Sequence, residues 1–519
     1  MKEDLKEILW VDDEIELLKP HILFLEGKGC KITPVATGED ALDSVSKRPF
    51  DLVLLDEQMP GKDGLATLED IKDVKPNLPV VMVTKSEEEN IMNQAIGKKI
   101  DDYLTKPVNP SQVWLVVKKV LDSKKIRGSQ MAQDYIAEFN RLRGMLFGQM
   151  HWKDWVEAHR KLSEWELEVA AHPEVGLEAT HFGQKKEFNV EFGKYVEKIY
   201  PRWAAGEDAP PLSVHVVKNH LFPHLSRGRQ VFFIVVDCMR LDQWLMIEPV
   251  ISEYFNVQRD YYFSVLPTAT PFSRNAIFAG VFPDDVARAD ADAWSPGSKD
   301  DSSRNRHERQ LLDAQIVRLG LKLKGEAKYV KVLDQAEGDN LARKISNYST
   351  VPLLSVVYNF IDMLAHGRSE DEILSELAHD EAAFRSIMQS WFLHSSLFEL
   401  LKQISKWNCV AVITTDHGSV LGTRAAIAYG KRDTSTSLRY KYGDNLNCDP
   451  KQSVLIKDPR RWRLPMFGLA TTYIIAKEDY YFVYPTNFNE YQRAYKNSFQ
   501  HGGISMEEMI LPVATLTPK

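Results

Sequence analysis

The sequence predicts an α/β protein with a helical middle, and three observations carry that reading. Short apolar runs, each long enough for one buried strand, stop at carboxylates near the N-terminus and again beyond residue 230. Segments of helical period alternate with them, as in a doubly wound sheet. Between the two regions, Met131 to Trp203 is rich in helix formers. The 519 residues leave room for two or three domains, expected at 1–122, 123–205 and 206–519.

Bulk properties narrow the class. Hydrophobic content of 44 % and charged content of 27 % are ordinary for a globular protein. The start, Met1-Lys2-Glu3-Asp4-Leu5-Lys6-Glu7, is too charged for a signal peptide, and no apolar run approaches the ~18 residues of a membrane span. A cytoplasmic location is therefore expected. Cys30, Cys238, Cys409 and Cys448 lack metal-type spacing and suit a reducing compartment. A formal charge of -8 argues against broad contact with duplex DNA.

In the first region, Ile8 to Val11 ends in Asp12-Asp13-Glu14, and Asp51 to Leu55 ends in Asp56 before the turn residues Met59-Pro60-Gly61 and Asp63-Gly64. Val80 to Val83 ends in Thr84, and Asp101-Asp102-Tyr103-Leu104-Thr105-Lys106-Pro107 follows. Ile15 to Leu25 and Leu65 to Val74 have helical period. This region resembles the receiver domain of two-component response regulators. The resemblance implies that Asp56 is the phosphoacceptor, that Asp12 and Asp13 with Asp56 hold Mg²⁺, that Thr84 and Lys106 contact the phosphoryl group, and that Tyr103 is the switch aromatic. The chemistry agrees: a carboxylate attacking a phosphoryl donor needs a divalent ion among clustered oxygens and a nearby cation. Lys85 departs from the small residue usual after the threonine, and a cis Lys106-Pro107 bond is expected from the resemblance.

The polar stretch Ser123 to Gln130 reads as a boundary or helix break. Beyond it Tyr135, Phe139, Leu142 and Leu146 recur at helical spacing, and Pro173, Gly176 and Gly183 punctuate about three helices of a small bundle. Trp152, Trp155 and Trp165 are expected in its core. No helix-turn-helix or basic recognition segment stands out.

After residue 206 the strand-end pattern returns. Val231 to Val236 ends in Asp237, and Leu353 to Tyr358 leads into Asp362 and His366. Val412 to Thr415 ends in Asp416-His417, where Gly418 lets the backbone turn away, and His501 lies near the C-terminus. Ligands of open parallel sheets bind beyond these strand ends. Three carboxylates and three imidazoles so placed are what two neighbouring zinc ions need. Such a pair can clamp both oxygens of an in-line phosphoryl displacement. Thr270 opens a helix-like segment as a candidate nucleophile.

This arrangement resembles the alkaline phosphatase superfamily, and Asp237-Cys238-Met239-Arg240-Leu241-Asp242-Gln243-Trp244 resembles its PglZ branch. The resemblance implies an alkaline-phosphatase-like α/β domain with two Zn²⁺ per chain. One would be held by Asp237, Thr270, Asp416 and His417, the other by Asp362, His366 and His501, with Thr270 as the catalytic nucleophile. Sulfatase chemistry is disfavoured, because threonine cannot become the required aldehyde, although Arg274 stands four residues after Thr270. Arg274 or Arg240 could clamp a monoester dianion; otherwise a diester is preferred. Manganese remains an alternative to zinc.

Two segments are read as shaping a cleft. Asp284 to Arg309, with Trp294 and His307, is polar and loop-like and could act as a lid. Lys431 to Arg463 carries nine Lys or Arg against four Asp, a local charge of +5, with Tyr440 and Tyr442 interleaved. Arg439 and Lys441 are therefore substrate-binding candidates.

The succession of domains resembles the PorX-type response regulators of Bacteroidota, linked to type IX secretion. It implies a sensor histidine kinase partner, homodimerisation on phosphorylation, and hydrolysis of linear or cyclic oligonucleotides. The alternative is a signalling adaptor that binds a sigma factor or secretion component, with zinc mainly structural.

Overall fold

The computed structural model describes residues 5–85, 100–289, 307–367, 372–430, 437–486 and 488–519. The chain divides into two compact units, Met1–Ala137 with Ala171–Gly176, and Glu138–Ala170 with Leu177–Lys519.

The first unit is built on a parallel sheet of β1 (Lys6–Val11), β2 (Cys30–Val35), β3 (Leu52–Asp56), β4 (Val80–Thr84) and β5 (Asp102–Thr105), in the order β2-β1-β3-β4-β5. Because strand side chains alternate, its two faces carry separate cores. Ile8, Trp10, Leu52, Leu54, Val81 and Val83 pack on one side, and Leu9, Val11, Val53, Leu55, Val80 and Met82 on the other. Val113 and Val117 from the helix Pro110–Met145 cover the first face; Ala41, Leu68 and Ile71 from the helices Gly38–Lys47 and Gly64–Val74 cover the second. The segment expected as one helix from Ile15 to Leu25 is a 3₁₀ turn, Ile15–Leu18, followed by the helix Lys19–Glu26 with proline in its first turn. The Lys106-Pro107 bond is cis.

The expected break at Ser123 to Gln130 does not occur: one helix runs through it, Pro110–Met145. The stretch contains no proline, its lysines, arginine and glutamine are good helix formers, and Gly128 alone costs about 1 kcal/mol.

In the second unit the main sheet comprises β6 (Gln230–Val236), β7 (Phe255–Phe263), β8 (Lys328–Val332), β9 (Leu353–Tyr358) and β10 (Cys409–Thr414). Smaller strands follow: β11 (Val420–Gly422), β12 (Arg424–Ile427), β13 (Tyr440–Asp444), β14 (Ser453–Ile456), β15 (Thr471–Ala476), β16 (Tyr480–Val483) and β17 (Ser498–Gln500). The long β18 (Ile510–Pro518) completes the main sheet in the order β7-β18-β10-β6-β9-β8. It is mixed rather than all parallel, since β18 runs antiparallel to both β10 and β7. The central strands β10, β6 and β9 are parallel neighbours buried on both faces, which explains their continuous apolar runs.

The helices Trp152–Ala171 and Glu178–Ala204 do not close a bundle core of their own. Trp155, Phe188, Phe192 and Trp203 instead share one core with Phe263, Phe272, Tyr440, Tyr473 and Met506. Trp155 packs edge-on against Phe192 at 5.2 Å between centroids, whereas Trp152 and Trp165 are only half-buried.

Part of the expected lid is helical, since Pro283–Ala289 and Glu308–Arg318 form helices. Trp294 lies outside the described residues. His307 stands at the N-terminal end of the second helix, with Nδ1 2.6 Å from Gln310 Oε1.

Candidate functional site

Three neighbouring parallel strands deliver the carboxylates of the second unit. Asp237 follows β6, Asp362 follows β9 and Asp416 follows β10, so the register of the sheet brings them to one end. Asp237, Asp416 and His417 form one group and Asp362, His366 and His501 a second, the ligand atoms within each group lying within 4.8 Å of one another. The groups adjoin, because the His417 and His501 rings stack at 4.1 Å.

Their electrostatics differ. Burial, against the attraction of Arg274 and with the repulsion of Asp416, pushes the Asp237 carboxyl up to about 8, and burial raises Asp416 as well. At Asp362 burial opposes ionisation, but His366, its Nε2 3.4 Å from Oδ1, with His501 and His417 nearby, holds the carboxyl below its usual range. Burial pushes His417 and His501 down, favouring neutral imidazoles. Asp237 Oδ1 and Asp362 Oδ1 are buried without a hydrogen-bond partner. Paired orphan oxygens beside neutral imidazole nitrogens fit divalent cations, which would replace the missing positive charge. The oxygen and nitrogen donors suit zinc or manganese.

Thr270 is the first residue of the helix Thr270–Ala279, and its Oγ1 lies 3.0 Å from His417 Nε2. The direction of that contact follows from the other ring nitrogen. His417 Nδ1 lies 3.0 Å from the Gly418 carbonyl, which can only accept, so Nδ1 carries the proton and Nε2 is the free lone pair. The Thr270 hydroxyl therefore donates to Nε2. Thr268 ties the same segment to the loop of His501, donating to the Gly503 carbonyl at 2.7 Å and accepting from the Gly502 N–H at 3.2 Å.

Gly418 is required for space rather than for a turn. A Cβ there would lie 1.9 Å from the Glu507 carbonyl oxygen, and its φ is not in the left-handed region. Cys238, beside Asp237, does occupy that region at φ 67, a strained backbone of the kind found at functional sites.

The arginines proposed for substrate contact are buried and held by carboxylates or carbonyls, Arg274 within the centre itself. Arg274 is 1 % exposed and bound by carboxylates: Nη1 donates to Asp237 Oδ2 at 2.8 Å, and Nε lies 2.9 Å from Glu308 Oε1 and 3.8 Å from Asp416 Oδ2. Arg240 is equally buried against Asp242 and Glu381. Arg439 is fully buried, donating to Glu508 and to the carbonyls of Lys477, Glu478 and Tyr480. Lys441 is also buried, which pulls its amine down to about 8, and Tyr440 meets Phe272 edge-on inside the core. Tyr442 packs on Phe467 and Tyr473. Arg439 and Lys441 thus make interior contacts, because charge density in sequence does not report exposure; Lys431 and Arg432 lie outside the described residues.

Glu308, which neutralises Arg274 and accepts from the Tyr329 hydroxyl, was invisible in sequence. It sits in the polar stretch read as a loop, with no local signal to mark it.

In the first unit Asp12, Asp13 and Asp56 converge, Asp13 being exposed and the other two buried. Lys106 Nζ donates to Asp12 Oδ2 at 2.9 Å and to Asp56 Oδ2 at 2.8 Å. Burial raises the Asp56 carboxyl despite that ammonium. The Thr84 hydroxyl donates to Glu57, a carboxylate the sequence reading did not single out. Tyr103 is 40 % exposed, and Lys85 is exposed as well.

Residues 216–516 match the BREX system PglZ alkaline phosphatase-like domain. The chain belongs to the PglZ family. Ahead of its PglZ domain, residues 8–118 match the response regulator receiver domain and residues 125–204 the PorX response regulator linker domain. Receiver, linker and PglZ domain in this order are the architecture of a PorX-type response regulator. The receiver segment is similar to the transcriptional regulatory protein ZraR of Salmonella typhimurium, 30 % identical over 26 % of this chain and 31 % of that protein. It is 35 % identical to ResD of Bacillus subtilis over 22 % of this chain and 48 % of ResD. The chain thus spans less than half the length of either relative. Among solved structures, a CheY-like receiver domain from Methanospirillum hungatei is 29 % identical, with a TM-score of 0.23 over 24 % of this chain and 98 % of that one. The NtrX receiver domain from Brucella abortus is 32 % identical, with a TM-score of 0.21 over 22 % and 98 %. Among the described residues no helix is long and apolar enough to cross a membrane.

Proposed function

We propose that the chain is a cytoplasmic response regulator whose phosphorylation at Asp56 controls homodimerisation and a metal-dependent phosphodiesterase. Its substrates are linear or cyclic oligonucleotides, and its output bears on type IX secretion. The carrying observation is the placement of Thr270: its hydroxyl donates to a neutral imidazole at 3.0 Å beside two adjoining ligand groups. A purely structural metal site has no use for a hydroxyl so presented.

Asp237, Asp416 and His417 would hold one divalent cation and Asp362, His366 and His501 the other. Bound there, the cations supply charge to neutralise the phosphoryl oxygens and lower the pKa of the attacking hydroxyl. The Thr270 oxygen attacks phosphorus as the bond to the leaving oxygen breaks, and the hydroxyl proton is passed to that oxygen, which departs as an alcohol. The phosphothreonine formed is then hydrolysed by water, restoring the hydroxyl. The N-terminus of the Thr270–Ala279 helix adds a partial positive charge at the developing anion.

A diester is favoured because Arg240 and Arg274, the two candidate clamps for a dianion, are held by carboxylates. The link to type IX secretion draws on the match of residues 125–204 to the PorX linker.

Metal content and hydrolysis of a chromogenic phosphodiester, compared between the wild type and Thr270→Ala, test this reading. Metal in both proteins and turnover reduced on the order of a thousandfold or more in the variant are expected. Equal turnover in the two would remove Thr270 from the chemistry. Metal without turnover in either would favour the adaptor. An unchanged solution mass on phosphorylation would refute control by dimerisation.

A further inference from the structure

The helix Glu178–Ala204 of the linker sends two polar side chains, one turn apart, into the interior of the second unit. Both meet Glu507. Asn189 uses each end of its amide: Nδ2 donates to Glu507 Oε1 and Oε2 at 3.2 and 3.0 Å, and Oδ1 accepts the Met506 N–H at 2.8 Å. Lys185 Nζ lies 3.2 Å from Glu507 Oε1, and it also binds Glu166 and Glu381 at 2.9 and 3.0 Å.

Glu507 in turn abuts the candidate centre. Its carbonyl fills the space left by the missing side chain of Gly418, and the Gly418 carbonyl fixes the His417 tautomer. A second route starts from the same lysine. Glu381 binds Arg240 at 2.7 Å, and Arg240 stands three residues after Asp237. His417 is therefore backed from the linker helix through main-chain packing, and a second chain of contacts from the same helix ends at Arg240. Apolar side chains of similar size would cover the same surface without the cost of burying an ammonium and an amide. A helix that served only as a spacer would have no need of them.

We infer that Asn189 and Lys185 are positioning residues for the Asp237–Asp416–His417 group, so that the linker sets its metal affinity. The inference rests on the metal-centre reading given above. Partners behind a metal ligand typically change affinity by ~10–100-fold when lost.

Competition between the full-length protein and a chromophoric chelator for zinc tests it, with thermal unfolding of the metal-free protein recorded alongside. Asn189→Leu removes the clamp; Asn189→Asp keeps its size and sets a second carboxylate against Glu507. Leu446→Ala, in the small cluster with Ile474 and Phe482, is the control for lost stability alone. Zinc binding weakened about tenfold or more in either Asn189 variant, with Leu446→Ala at wild-type affinity, is the expected result. Wild-type affinity in both Asn189 variants overturns the inference while leaving the metal centre standing. A wild type that takes up no zinc overturns the metal-centre reading and the inference with it.

Discussion

Replacing Arg274 by methionine should weaken the metal-free protein far more than the metal-loaded one. The guanidinium is 1 % exposed and is the cation shared by Asp237, Glu308 and Asp416 at 2.8, 2.9 and 3.8 Å. Methionine keeps much of the volume and removes the charge, leaving buried carboxylates without compensation. Breaking a buried ion pair from one side costs about 3–5 kcal/mol. For a unit of this size that lowers the unfolding temperature by about 4–6 °C. Asp237, already raised to about 8 with Arg274 in place, would move further up and hold its proton more firmly at neutral pH. A divalent cation on Asp237 and Asp416 would restore the missing charge, and ligand linkage adds its own stabilisation. Thermal unfolding of wild type and Arg274→Met, each in chelator and in zinc, measures both effects. A loss of equal size with and without zinc would refute the reasoning, because the cation and the guanidinium would then not be acting on the same carboxylates.

Two further outcomes follow from buried groups. His159 is 3 % exposed, and burial pulls its imidazole down to about 4, against the opposing pull of Glu507, Asp242 and Glu166. The unfolded chain takes up that proton near pH 6.5 and the folded one does not, so stability is full above pH 6.5 and falls as pH drops toward 4, by about 3 kcal/mol in all. Urea unfolding of His159→Leu at pH 5 and 7.5 should show a shallower pH dependence than wild type; an identical slope would mean His159 is protonated in the fold. Arg439→Met should lower the unfolding temperature through loss of its bonds to Glu508 and three carbonyls, without the selective rise in KM expected of a substrate contact. A raised KM at unchanged stability would return Arg439 to the substrate surface.

Much of the candidate site was legible because its signals are local. An apolar run ending in Asp237, Asp362 or Asp416-His417 states both the strand and the residue at its end, and parallel pairing of β10, β6 and β9 does the rest. The six receiver positions, Asp12, Asp13, Asp56, Thr84, Tyr103 and Lys106, were read from strand ends and from the resemblance. Partnerships across distant segments could not be read. Glu308 meets Arg274 only through the packing of two helices, and Glu507 meets Asn189 across more than three hundred residues. The basic stretch misled because Arg439 and Lys441 carry charge into the interior, where partners for the arginine come from β16, the preceding turn and Glu508. The helix Pro110–Met145 misled differently: polar residues suggest a boundary, yet without proline nothing in Ser123 to Gln130 stops a helix.

The contact between Gly418 and the Glu507 carbonyl bears on how variation in this chain is to be interpreted. Any side chain at 418 would collide with main chain, which no rotamer change in a neighbour can relieve. Selection would hold the glycine fixed even in a descendant that had lost every catalytic function but still folded. Its invariance would record a steric veto, whereas drift at Thr270 with Gly418 retained would mark a lineage in which the fold outlived the reaction.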